Sequence, residues 1–312
     1  MQKIQFFGNT DIGKVSRNNE DAFIAQELWD MNHILGVVID GVGGYEGGEV
    51  AARIAKDTIV NYLKKFCNGE RLNLLKQAVT EANNKIVEEQ EKQPNRFQMS
   101  CVLSACLVEV KKKQINIVHI GDTRAYCFHN GEMTKLSHDH SYVGYREDIG
   151  DLLEEEAMNH PKRNEINRML GDKPHQTDDR DFLEEKTFPL LPNTILLLCS
   201  DGLTDLVTKA EMSSILSHEY SIKQKVQALI DLANNKGGKD NITVVLIEYL
   251  SDEIDNIENV NPVETERLKM KWIKSRKRKI TKRRKIKKLW IVLIAILALF
   301  VGVFGVWLLN NS

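Results

Sequence analysis

The chain has 312 residues, 42% of them hydrophobic, enough to bury a full core; one large domain followed by a tail fits that length best. The net charge of -1 hides a separation: all 44 acidic and 30 of the 43 basic residues precede Lys269, giving the body -14, whereas the part from Lys269 onward carries +13. An acidic body excludes nucleic acid as its partner, and the basic tail calls for an anionic surface.

The five cysteines (Cys67, Cys101, Cys106, Cys127, Cys199) are odd in number, lack CxxC spacing and sit in apolar runs. They read as buried, reduced thiols of a cytosolic domain, including Cys199, two residues before an aspartate. The opening MQKIQFFGN has too short an apolar run for a signal peptide.

Residues 1–9 alternate weakly and predict an edge strand. Thr10 to Asp21, TDIGKVSRNNED, reads as a functional loop entering a second strand at Ala22 to Ala25, and it gathers Asp11, Arg17, Glu20 and Asp21. Surface charge explains any one of these. An arginine between Ser16 and Asn18, in a loop that also presents carboxylates, suits the gripping of an oxyanion beside a metal. Next comes VVIDGVGGYEGG, Val37 to Gly48: a β-branched run that delivers Asp40 to a corner of five glycines. The strand fixes the carboxylate's direction, and the glycines let carbonyls and water crowd beside it, which is a way of holding a cation.

Apolar positions at helical spacing predict helices over Glu49 to Phe66 and Leu72 to Glu91, with Pro94 and Asn95 breaking the pattern. Ser100 to Val110 and Gln114 to Ile120 form a hairpin turned by the lysines at 111–113. Gly121 to Phe128 is a further strand, and HNGE at 129–132 is an Asn-Gly hairpin turn. From Ser137 to Asp181 the texture becomes polar and helical, with a short helix over Asp151 to Asn159, a second stretch HPKRNEINRMLG ending on Gly171, and a mobile loop bordering a cleft. Phe182 to Leu190 and Thr194 to Ser200 return to strand, Glu211 to Leu216 and Ile222 to Asn234 to helix, and Ile242 to Tyr249 closes the domain as a strand. Hairpins outnumber crossovers, which predicts an α+β fold of antiparallel sheets with helices layered outside.

One Asp-Gly pair is more often a plain turn than a site. Here the pattern recurs: apolar strands deliver Asp40, Asp122 (INIVHIGD) and Asp201 (TILLLCSDG), and Asp240 precedes another in GGKDNITVVLI. Four strands with an aspartate at one end predict a shared polynuclear metal site.

Six blocks, in order and at matching spacing, resemble the metal-dependent serine/threonine phosphatases of the PP2C type in their bacterial form: TDIGKVSRNNEDAF, VVIDGVGGYEGGEVAA, VHIGDTRAYCFHNGEMTKLSHDHS, NHPKRNEINRMLG, LLLCSDGLTDLV and GGKDNITVVLIE. The resemblance runs from about Phe7 to Glu248 and implies a phosphatase domain over residues 1–250, with two central antiparallel β-sheets sandwiched by helical layers and metals in a cleft at one end. Carried over by position, Asp40 would bridge two Mg²⁺ or Mn²⁺ ions, the Gly41 carbonyl would complete one, and Asp201 and Asp240 the other. Glu20 and Asp21 would hold metal-bound waters, Asp122 with Asp201 and Asp205 a weaker third metal, and Arg17 the substrate phosphate. Hydroxide between the two ions, about 4 Å apart, would attack phosphorus in line with the leaving serine or threonine oxygen. Where some relatives carry a histidine two residues after the bridging aspartate, this chain has Val42, so no side chain is assigned as general acid. His119, His138 and His140 read as hydrogen-bonded structural residues. The strand SCVLSA departs from the family's usual Gly-Thr-Thr, which questions the packing beneath the site.

Residues 251–268 read as an acidic linker and 269–288 as a basic juxtamembrane segment. Leu289 to Leu309 is an uncharged run with Trp290 and Trp307 near its ends, long enough to cross a bilayer. The expectation is a single-pass protein of the cytoplasmic membrane, body inside and C-terminus outside, whose basic tail contacts membrane lipids. Its substrates would be phosphoserine and phosphothreonine proteins and its counterpart a Ser/Thr kinase. The alternatives are a pseudophosphatase that binds phosphoproteins without hydrolysing them, and a structural membrane anchor.

Overall fold

The computed structural model describes residues 2–43, 47–92 and 99–251. Strands β1 (Gln2–Asp11), β2 (Ala22–Leu28) and β3 (Asp30–Val42) precede helices α1 (Gly47–Lys65) and α2 (Arg71–Lys92). Strands β4 (Ser100–Glu109), β5 (Gln114–Ile120), β6 (Arg124–His129) and β7 (Glu132–Lys135) follow, then short helices α3 (Tyr142–Asp148) and α4 (Glu154–Met158). The domain ends with β8 (Glu184–Pro189), β9 (Thr194–Cys199), α5 (Asp201–Thr204), α6 (Lys209–Ser217), α7 (Ile222–Asn235) and β10 (Ile242–Ser251). Two five-stranded sheets, β1-β10-β9-β6-β7 and β2-β3-β4-β5-β8, are antiparallel throughout.

Three apolar cores separate four layers. One lies between α1, α2 and the β3 sheet, one between the two sheets, and one between the β9 sheet and α6 and α7. The period of two along each strand makes this possible. Leu35, Val37 and Ile39 of β3 face the helices, whereas Ile34 and Val38 face the opposite sheet. In β9, Leu197 and Cys199 face α6 and α7, and Leu196 and Leu198 face inward. Central strands buried on both faces read in the sequence as unbroken apolar runs, which is why VVI and ILLLC stand out. The expected α+β sandwich with outer helical layers is what the chain forms.

Local chemistry sets the joints. The HNGE turn has Asn130 at φ 51° and Gly131 at φ 77°, the two left-handed residues that a tight hairpin needs. Helix α6 opens with Thr208 Oγ1 accepting from the Glu211 N–H (3.3 Å) while the Glu211 carboxylate accepts from the Thr208 N–H (2.9 Å).

Three expectations change. The stretch 160–171 forms no helix: it is pinned as irregular chain by Leu170 pairing with Cys101 (3.2 and 2.8 Å) and by a bridge between Ser141 and Ile166. The helix expected over 151–159 shrinks to Glu154–Met158, and α3 carries the ordered helix of this region instead. Cys67 is exposed just beyond α1 rather than buried, the other thiols being buried or half-buried.

The membrane expectation is corrected. Among the described residues no helix is long and apolar enough to cross a membrane, so the single-pass cytoplasmic-membrane placement is withdrawn. Length and lack of charge fit a run to a bilayer; spanning also requires one continuous helix that satisfies every backbone group, and no described helix meets both conditions. The linker at 251–268 (beyond Ser251, the end of β10), the basic segment at 269–288 and the apolar run at 289–309 lie outside the described residues, as does Tyr45 of the glycine corner.

Leu246 is fully buried on β10 beneath α7. Leu246→Ala should cost about 2–5 kcal/mol in urea unfolding with an unchanged m-value, whereas a loss below about 1 kcal/mol would contradict the packing described.

Candidate metal and phosphate site

Antiparallel pairing brings the acidic residues to one end of the sandwich. Asp11 at the end of β1 lies opposite Ile242 at the start of β10, and Cys199 at the end of β9 lies opposite Val244 and Arg124. In the other sheet Ala22 opposes Ile39, Asp40 opposes Val102, and Ile120 opposes Leu103. The end of one strand and the start of its neighbour therefore share an edge, and Glu20, Asp21, Asp40, Asp122, Asp201 and Asp240 sit on that edge or within two residues of it.

Hydrogen bonds tie the two sheets together there. The Thr243 hydroxyl donates to Asp21 (2.6 Å), and the Thr243 N–H donates to Ser200 Oγ (2.9 Å). Buried Asn241 accepts from the Glu20 N–H (2.8 Å) and donates to the carbonyls of Ile12 (2.9 Å) and Asn18 (3.0 Å). One side chain thus fixes both ends of the loop that carries Arg17, Glu20 and Asp21. Arg17 itself is exposed between Ser16, whose hydroxyl donates to Asp240 (3.3 Å), and Asn18, whose amide donates to Glu49 (2.9 Å).

The corner after Asp40 must be glycine for reasons of space. A Cβ on Gly41 would strike the carbonyl oxygens of Gly48 and Glu20, and one on Gly48 would strike the Glu20 carboxylate.

Burial comes first among the forces on these carboxylates and mutual repulsion second. Burial pushes Asp40 well above the ordinary carboxylate range, helped by the charges of Asp21, Asp201, Asp122 and Asp240. Asp201 is pushed up in the same way by burial and then by Asp122, Asp205, Asp240 and Asp21. Asp21 rises to about 7 against the pull of Thr243 and Ser200, and Asp122 to about 7 with Asp139 adding to burial. Burial and then Asp240 raise Glu20. Among the described residues none of Asp21, Asp40, Asp122 and Asp201 has a cationic side-chain partner. The Arg124 charge opposes the rise of Asp122 without overcoming it. Packed carboxylates without a salt-bridge partner form a donor set of hard oxygens, which fits divalent Mg²⁺ or Mn²⁺ and not a thiophilic metal.

A sequence profile described as "Protein phosphatase 2C" matches residues 13–246. The serine/threonine phosphatase stp of Listeria welshimeri is 34% identical over 243 residues, spanning 77% of this chain and 93% of that protein. The crystal structure of the serine/threonine phosphatase PstP/Ppp of Mycobacterium tuberculosis superposes with a TM-score of 0.69 at 30% identity, covering 80% of this chain and 99% of that one. A PstP catalytic domain in complex with two manganese ions superposes equally well, with a TM-score of 0.69 at 28% identity over 80% of this chain and 100% of that one. The chain belongs to the protein phosphatase 2C family. It is a protein serine/threonine phosphatase, which removes the structural-anchor alternative.

In this phosphatase, sequence reasoning missed two residues. Asn241 was visible only as an Asx residue at a turn after Asp240, and its three partners lie more than 200 residues away in the chain. Arg163 donates to Asp205 at 2.6 Å, a pairing that nothing in NHPKRNEINRMLG announces. Asp205, Asp201 and Asp122 line a cavity of about 30 Å³ together with Arg163, Glu147 and Ser141. Burial raises Asp205, and the Arg163 hydrogen bond opposes that rise. The SCVLSA strand is buried throughout: Ser100 donates to the Val42 carbonyl (2.9 Å), and all ten β4 positions are buried. Cys199 is a buried thiol pushed up to about 12 by burial, consistent with a structural role. His119, His140 and Glu184 lie close enough to share an ion, but both nitrogens of His119 are hydrogen-bonded and Glu184 is taken by His138 (2.6 and 2.8 Å).

A carboxyl raised from 3.8 to about 7 holds its proton in the folded chain where the unfolded chain has lost it. Stability from Asp21 and Asp122 is therefore complete below about pH 3.8 and is lost as pH rises towards 7. In EDTA the melting temperature of the phosphatase should fall between pH 5 and pH 8; Mn²⁺ should abolish or reverse that fall, and Asp21→Asn should shrink it. A metal-free chain that gains stability from pH 5 to pH 8 would contradict the electrostatics described.

Proposed function

We infer that this phosphatase hydrolyses phosphoserine and phosphothreonine in proteins with two divalent cations, Mn²⁺ or Mg²⁺, bound at the acidic end of its sandwich. The observation that carries the reading is the convergence of Asp21, Asp40, Asp122 and Asp201, from strand ends and turns far apart in the sequence, into one partly buried cluster in which, among the described residues, none forms a salt bridge. The two manganese ions of the similar PstP catalytic domain support it. Asp40, the Gly41 carbonyl, Asp201 and Asp240 would hold the pair, Glu20 and Asp21 would act through water, and Asp122 with Asp201 and Asp205 would hold a weaker third ion. Bound there, the cations supply a water of lowered pKa and neutralise charge on the phosphoryl group.

The chain's own residues do the rest. Thr243 and Asn241 hold the Glu20–Asp21 segment against β10, so two carboxylates stay aimed inward without solvent reorganisation. Arg17, exposed on that same loop and unpaired among the described residues, presents its planar guanidinium to the phosphoryl oxygens. Val42 offers no proton, so the leaving oxygen takes its proton from water. A Ser/Thr kinase that makes the phosphoproteins is the natural counterpart. The pseudophosphatase alternative would be favoured by loss of a core aspartate, and all of them are present.

With the full chain and Mn²⁺, phosphate release from para-nitrophenyl phosphate and from a phosphothreonine peptide should fall about 10³-fold or more in Asp40→Asn and Asp201→Asn. Arg17→Ala should lower kcat/KM about 10–100-fold, mainly for the peptide. Turnover that survives both aspartate substitutions, or resists EDTA, would overturn the reading.

A further inference from the structure

Asp122 follows a residue that should make it hard to aim. Gly121 has φ +100°, and a Cβ there would run into the Val102 side chain, so only glycine makes this turn. Glycine also surrenders the most conformational freedom when it is fixed. Gly121 is nonetheless restrained on both sides. Its N–H donates to His140 Nδ1 (3.2 Å), and its carbonyl accepts from the His140 backbone N–H (2.6 Å) and from His119 Nε2 (3.1 Å).

The tautomers follow from the partners. His119 Nε2 lies between two carbonyl oxygens, those of Gly121 and His138 (3.0 Å), and must carry the proton. Its Nδ1 then accepts from Ser104 Oγ (2.9 Å), which leaves Ser104 to accept from the hydroxyl of Thr123 (3.1 Å), the residue just after Asp122. His140 Nδ1 receives an N–H and must be bare, which places its proton on Nε2. His119 is fully buried, and the two rings lie 5.1 Å apart. Two imidazoles and one serine therefore grip the residues before and after Asp122 and leave its carboxylate pointing at the cavity it shares with Asp201 and Asp205.

We propose that His119 and His140 are positioning residues for Asp122: by clamping Gly121 they fix the aim of that carboxylate and so set the affinity of the weakest divalent-cation site. The proposal rests on the metal reading above. It assigns a role to histidines that otherwise look like ordinary buried polar residues, and it requires acceptor geometry at His140 Nδ1 rather than mere bulk. Asn places its Oδ1 where Nδ1 stands; Gln carries its acceptor one bond further out, where the Gly121 N–H cannot meet it.

The test is a Mn²⁺ titration of the full chain followed by electron paramagnetic resonance of free Mn²⁺, with Asp122→Asn marking the weakest binding event by its loss. In His140→Leu that event should weaken about 10–100-fold while tighter binding stays within about twofold. Amide exchange of the metal-free chain should quicken in the segment 119–123, and His140→Asn should restore both readouts to within about threefold of the unsubstituted chain. Should His140→Leu not fold, His140→Gln replaces it with the same expectation. Unchanged Mn²⁺ affinities in a folded Leu or Gln variant, equal weakening of every site, or an Asn variant no better than Leu would remove the clamp and leave the metal reading standing. An unsubstituted chain that binds no Mn²⁺ would remove both.

Discussion

Repulsion among partly buried carboxylates is the constraint around which this phosphatase is built. Each of Asp21, Asp40, Asp122 and Asp201 is made harder to ionise first by burial and then by its neighbours. A cluster of that kind opposes folding at neutral pH unless cations occupy it or protons stay bound. The three apolar cores on the four-layer sandwich supply the stability that holds it together, and they lie behind the cluster along the length of the strands. Stability and function are thereby separated in space: the middle of each strand packs, and its end carries the chemistry.

The polar residues around the cluster are arranged by the same logic. Thr243, Ser200 and Asn241 donate to or fix acidic groups and backbone without adding positive charge, so they orient the carboxylates and leave their demand for a cation unmet. Cationic side chains stay at the margin: Arg163 donates to Asp205, and Arg124 is held by Asp139 and Glu147 at 2.7 Å each. That buried network ties β6 to α3 and forms the wall of the cavity beside Asp122. Val102 and Ser104, in the strand where the sequence departs from the family's usual residues, are the contacts that shape the Gly121 turn.

Much of the fold and the core of the cluster could be read from the sequence because both depend on short-range rules. Period-two burial, unbroken apolar runs in central strands, Asn-Gly turn chemistry and the Asp-Gly strand ends are written into neighbouring residues, and they gave the strands, α1, α2, α6, α7 and the strand-end aspartates Asp40, Asp122, Asp201 and Asp240. The irregular 160–171 stretch was misread as helix because its conformation is fixed by β-bridges to Cys101 and Ser141, not by its own pattern. The membrane placement failed for a related reason: hydropathy of 289–309 states what a segment tolerates, and no described helix supplies the span.

By itself, then, the sequence determined which residue types stand at strand ends, where chains must turn, and that hard oxygen ligands would be gathered. Only the tertiary structure decided that Asn241 would lock a loop from the other end of the chain, that Arg163 would take Asp205, and that His119 and His140 would close on Gly121. Those contacts join residues brought together solely by sheet pairing and layer packing. A hydrogen bond depends on a separation of about 3 Å and an angle, and neither is encoded in composition or spacing along the chain.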